Sequence, residues 1–217
     1  MHDRRDPPVK IYSINQTLKH PAYSSDTFAN DFALLRLEVP LTWSDDPLDI
    51  LEVGPICLPD ASVDYAGYGC VATGWGQTSE GGWASDILQK VDLHVGKGPT
   101  KCGNYREGMV DHKVMMCASG DYKDSCPGDS GGPLVTLGQK GLYQLIGVTS
   151  AGLGCGDAAY PGVYARVNEA LPWIYGIVPS LKPNGKKAEP IKGSSSHWSP
   201  ISWLAMLATV LLVKVVS

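Results

Sequence analysis

The strongest chemical signal is a ten-residue stretch, Asp124-Ser125-Cys126-Pro127-Gly128-Asp129-Ser130-Gly131-Gly132-Pro133. Glycines on both sides of Ser130 allow a tight turn that exposes its hydroxyl. In such a turn the backbone N–H groups of Gly128 and Ser130 can point at one spot, as an oxyanion hole requires. An ordinary glycine-rich turn is the plain alternative. A second signal is Asn30-Asp31-Phe32-Ala33-Leu34-Leu35-Arg36-Leu37. A carboxylate buried ahead of an apolar strand needs a partner. Taken alone, Asp31 reads as a turn residue that caps the strand.

Together these stretches resemble the chymotrypsin/trypsin family of serine proteases. The segment Gly128-Asp129-Ser130-Gly131-Gly132-Pro133 is similar to the family's nucleophile motif, and Asp31-Phe32-Ala33-Leu34-Leu35 resembles its aspartate segment. His20-Pro21-Ala22-Tyr23, the run from Gly69 to Gly76, Met115-Met116-Cys117-Ala118 and Pro161-Gly162-Val163-Tyr164 extend the likeness over residues 9–178. The resemblance implies Ser130 as nucleophile, Asp31 as the acid that orients a histidine, and Gly128 and Ser130 as oxyanion donors. It implies that Asp129 accepts the amino terminus freed on activation. It places Asp124 at the base of the primary pocket, facing a substrate Arg or Lys, with Ser150, Gly152 and Gly162 around it. The expected partners are therefore proteins or peptides with Arg or Lys at the cleavage site, and protease inhibitors. No metal or organic cofactor is implied.

Departures from the family pattern carry their own expectations. The five histidines are His2, His20, His94, His112 and His197, and none lies in the family's histidine segment. Each is expected at the surface. Loss of that histidine costs ~10⁶-fold in turnover in a related triad, so the chain as written is expected to be inactive. By register it starts after the family's first strands. Ala151 stands where the family carries a tryptophan, which unsettles extended-peptide selectivity. Pro161 replaces the tyrosine of sodium-activated members. A homologue without catalysis that binds partners is the rival reading, although retention of Asp31, Asp124, Asp129 and Ser130 counts against it. The resemblance pairs Cys102 with Cys117 and Cys126 with Cys155. It leaves Cys57 over, and it gives Cys70 no partner because Thr136 stands there. Cys70 is either free or paired with Cys57.

The elements that must position these residues are mostly short. Apolar runs at 9–12, 32–37, 70–73, 87–95, 132–137, 141–149 and 162–167 read as strands. Residues 53–59 read as a crossing linker. Residues 167–178 read as a closing helix with Pro172 in its first turns. The expected fold is all-β: a double Greek-key β-barrel of the trypsin type with an incomplete first barrel and a C-terminal helix. Its 25 glycines and 16 prolines suit many turns. The net charge of −4 argues against a nucleic-acid partner.

The expected organisation is a peptidase domain over 1–178, a stalk rich in Lys, Pro, Gly and Ser over 179–200, and an apolar tail over 201–217. The tail follows small residues at 193–196 and resembles a lipid-anchor signal more than a spanning helix, which needs ~20 apolar residues. The charged start has no apolar leader, so no signal peptide is expected within it. Extracellular or cell-surface placement, with membrane attachment through the tail, follows from the resemblance and that tail. Asn15-Gln16-Thr17 is a glycosylation triplet that fits this setting.

Overall fold

The computed structural model describes residues 11–41, 54–98, 102–138 and 141–183, together with the backbone of 210–213. The chain order is β1 (Ile14–Lys19), β2 (Ala33–Leu37), β3 (Gly69–Gly74), β4 (Gln89–Val95), β5 (Met115–Ser119), β6 (Pro133–Leu137), β7 (Tyr143–Ala151), β8 (Gly162–Arg166), α1 (Val167–Ile177), a 3₁₀ turn (Pro179–Leu181) and β9 (Val210–Val213). Six strands close into a barrel in the order β3-β4-β5-β8-β7-β6, with β6 returning to β3. A separate sheet has the order β1-β2-β9. All pairings among the named strands are antiparallel.

The expected all-β fold is thus observed, with one closed barrel and a smaller sheet in place of the first. Strand alternation explains part of it. Along β6, Leu134 and Thr136 point inward while their neighbours are more exposed. The barrel interior holds Tyr65, Leu93, Met116, Leu134, Ile146 and Tyr164. Burying side chains of this size stabilises by roughly 1.5–3 kcal/mol each.

A second cluster joins the two sheets. Phe32 and Leu34 beside and within β2 pack with Val148 and Ala165 of the barrel and with Val167, Leu171 and Ile174 of α1. This apolar contact holds the start of β2 against β7. Pro172 sits at the sixth residue of α1, on an exposed face. That placement removes one N–H from the helix ladder without a core clash.

Some boundaries differ from expectation. Residues 11 and 12, expected in a strand, are exposed and irregular, and β1 begins at Ile14. The other half of that run, 9–10, lies outside the described residues. In the expected stalk, Pro179–Leu181 forms one tight turn. In the expected tail, the backbone of β9 lies beside β2, with Ala33 opposite Val213. The rest of 184–217 lies outside the described residues. Among the described residues no helix is long and apolar enough to cross a membrane.

Candidate active site

Asp31 is the most deeply buried carboxylate among the described residues, with no solvent exposure. The backbone before it bends sharply. Phe28 and Asn30 have φ of +56° and +55°, unusual for non-glycine residues. Asn30 is held by its side-chain amide, which donates to Ala22 O at 3.1 Å. The Ser150 hydroxyl on β7 donates to Asp31 Oδ2 at 2.7 Å. A short, charge-assisted bond of this kind offsets part of the desolvation cost. Ser150, expected beside the substrate pocket, therefore also ties the two sheets together at the site.

Ser130 lies on the turn between Cys126 and Pro133. Asp129 N–H donates to Cys126 O at 3.0 Å, and Gly132 N–H donates to Asp129 O at 2.8 Å. Gly131 N–H donates to Thr149 O at 2.9 Å, which anchors the turn to β7. Gly128 has φ +100°, a conformation that favours glycine, and a Cβ there would press on the Gly76 backbone at 2.9 Å. Ser130 itself is exposed. It lines an open cavity of about 430 Å³ with Phe28, Glu80, Ser125, Ser150 and Gly152.

Asp129 points the other way. Its Oδ1 accepts from Gly76 N–H at 2.8 Å and its Oδ2 from Cys126 N–H at 2.9 Å. A Cβ on Gly74 would collide with this carboxylate. A neighbouring cavity of about 380 Å³ is bordered by both Asp129 and Asp124. Glu80 and Cys126 border both cavities.

Asp124 is half-buried. Its Oδ1 accepts from Ser125 N–H at 2.7 Å. Burial pushes its carboxyl up to about 6, while N–H donors from Ser125, Gly156 and Gly162 pull in the opposite direction. A side chain at Gly162 would strike Asp124 Oδ1, so glycine leaves room for the carboxylate. The Tyr164 hydroxyl donates to Ser125 Oγ at 3.0 Å. Burial also raises the tyrosine's pKa, which keeps the hydroxyl a donor.

Ser130, Ser150 and Gly152 are thus brought to one cavity, and Asp31 is bonded to its wall. Asp124 and Asp129 border the adjoining cavity. Asn15 is exposed on β1, away from both. The expected surface placement of the histidines holds for His94 and His112, which are exposed. His20 is half-buried instead, its ring edge-on to Trp173 of α1 at 4.7 Å. His2 and His197 lie outside the described residues. Among the described residues no histidine lines the Ser130 cavity.

The expected disulfides are present. Cys102 and Cys117 are bridged across 15 residues, and Cys126 and Cys155 across 29. Cys57 and Cys70 are both free, so the alternative pairing between them is not made. Cys70 is buried, and burial pushes its thiol up to about 12. Thr136, at the family's cysteine position, instead donates its hydroxyl to Gly69 O at 2.7 Å.

Residues 2–174 match the family profile described as Trypsin. The chain belongs to the trypsin family of serine proteases. It is 36% identical over 178 residues to "Serine proteinase stubble" of Drosophila melanogaster, a match that spans 80% of this chain and 22% of that protein. It is 33% identical over 170 residues to "Serine protease filzig" of the same organism, spanning 76% of this chain and 10% of that one. The chain therefore covers about a fifth or less of these relatives. Members of that family are hydrolases that take protein substrates and are typically secreted. Two disulfides fit that setting.

Sequence reasoning did not single out Glu80, Phe28 or Tyr164 as site residues. Tyr164 stood within a matched segment, but its bond to Ser125 needs the β5–β8 pairing to become visible. Phe28 and Glu80 sit in loops, where spacing carries no signal.

Proposed function

We propose that the site is that of a serine endopeptidase cleaving after Arg or Lys. The observation that carries this reading is the Ser150–Asp31 bond, which fixes a buried carboxylate at the wall of the cavity that exposes Ser130. In the reaction, Ser130 Oγ bonds to the substrate carbonyl carbon as its proton passes to a base. The N–H groups of Gly128 and Ser130 hold the oxyanion. The C–N bond then breaks, the amine leaves with that proton, and water releases the acid from the acyl-enzyme. Asp124, against the buried Gly162, attracts the basic side chain. Asp129 accepts a chain amino terminus in the adjoining cavity, and its two N–H bonds hold it there.

Such chemistry needs a base within hydrogen-bond reach of the serine. No described histidine lines its cavity. That observation favours a second reading, in which the 217-residue chain binds basic peptides at the cell surface without cutting them. Asn15 would then carry a glycan, supported by its exposure and triplet, and the apolar run within 201–217 would supply attachment.

Benzamidine binding and hydrolysis of an arginyl p-nitroanilide test both readings. Saturable binding weakened at least about tenfold in Asp124→Asn is expected from a charge-assisted pair. Binding indifferent to Asp124 overturns the basic specificity. Turnover above that of Ser130→Ala overturns the non-cutting reading.

A further inference from the structure

Glu80 is the only charged side chain on the wall of the Ser130 cavity among the described residues. Its position follows from local sequence. Gln77 and Ala84 form an antiparallel bridge, and Gly82 N–H donates to Ser79 O at 2.9 Å. The turn Ser79-Glu80-Gly81-Gly82 closes this hairpin, with Gly81 at φ +70° in the position that favours glycine. Glu80 is therefore held at the tip. Gln77 N–H donates to Pro127 O at 2.9 Å, so the hairpin is tied to the turn that carries Ser130.

The carboxylate reaches across the cavity mouth. Its two oxygens stand 3.2 and 3.3 Å from where a Cβ on Gly154 would lie. Gly154 has φ +70° and offers no side chain, which leaves that space to Glu80. Among the described residues Glu80 makes no ion pair. Its charge is exposed at the wall of the Ser130 cavity.

We infer that Glu80 is a specificity-determining residue that selects a second basic side chain in the substrate, next to the one held by Asp124. The preferred ligand class is then a peptide with a second basic residue one or two positions before the first. This rests on the proposed preference for Arg or Lys. Charge complementarity supplies the preference, and salt weakens it because Glu80 is exposed.

The test uses the full 217-residue chain and three reversible peptides: acetyl-Ala-Ala-Arg-amide, acetyl-Ala-Lys-Arg-amide and acetyl-Lys-Ala-Arg-amide. Affinities are measured by calorimetry at low and at physiological salt. At least one lysine peptide is expected to bind about threefold to fivefold tighter than the alanine peptide at low salt, and less so at physiological salt. Glu80→Gln is expected to erase that margin, so that neither lysine peptide binds tighter than the alanine peptide. Glu80→Lys is expected to reverse it. A margin that survives Glu80→Gln, or no margin in the parent chain, overturns the inference while Asp124-dependent binding keeps the basic reading intact. Binding of the alanine peptide that ignores Asp124→Asn, or no saturable binding, overturns both.

Discussion

At the residue scale, the chemistry of the site turns on how each carboxylate is solvated. Asp124 and Asp129 border one cavity and Asp31 is bonded to the wall of the other, yet their surroundings differ. Asp31 is sealed and accepts from Ser150. Asp129 accepts two backbone N–H groups. Asp124 is partly desolvated, which raises its pKa to about 6. The consequence for ligands can be signed. Below about 6 the empty pocket is protonated and neutral, so a cation gains little there. Benzamidine affinity is expected to be full above pH 7 and to fall about tenfold per unit below pH 6, and calorimetry across pH 5–8 checks it. In Asp124→Asn the profile should flatten. Stability moves the opposite way. The folded chain holds this proton more tightly than the unfolded one, so the empty pocket loses stability as pH rises from the ordinary 3.8 through about 6.

At the scale of elements, the site is a set of turns clamped to β7. The nucleophile turn is hydrogen-bonded to Thr149, and the Cys126–Cys155 bridge ties its start to the segment after β7. The Cys102–Cys117 bridge instead fastens a loop to β5, whose Cys117 is buried beside Val163. These two bridges should separate stability from binding. Each closes a loop long enough to contribute roughly 3–4 kcal/mol through the unfolded chain. Replacing Cys126 and Cys155 together by Ala is expected to cost about that much in urea unfolding and also to weaken benzamidine, because Asp124 and Ser125 lie next to Cys126. The Cys102/Cys117 pair of substitutions should cost about as much stability with benzamidine affinity kept. Equal losses of affinity in both double variants would show that the nucleophile turn has no special dependence on its own bridge.

At the scale of the whole molecule, legibility in the sequence follows where physics is local. The turn around Ser130 and the apolar run after Asp31 could be read directly, because glycine spacing and hydrophobic alternation act over a few residues. β5 was not read as a strand. Its residues Met115 to Ala118 are all buried, so no alternation marks them. Glu80 was invisible for the opposite reason, since an exposed turn residue gains meaning only from what lies across the cavity. The run at 9–12 misled at its described end, where Ile11 and Tyr12 are exposed. That exposure points to uneven stability. The barrel closes on itself, so its strands have no free edge, whereas among the described residues β1 pairs only with β2 and is exposed along nearly its whole length. Few buried contacts oppose local opening there. Amide hydrogen exchange is expected to rank β1 fastest, with β5 and β8 slowest and limited by global unfolding. The N-terminal half of β2 should exchange slowly despite belonging to the smaller sheet, because Ala33 and Leu34 are buried and Phe32 beside them packs on α1. If β1 and β5 instead exchange at one common rate, the two sheets unfold as a single unit, and the Phe32 and Leu34 contact is strong enough to couple the site across both.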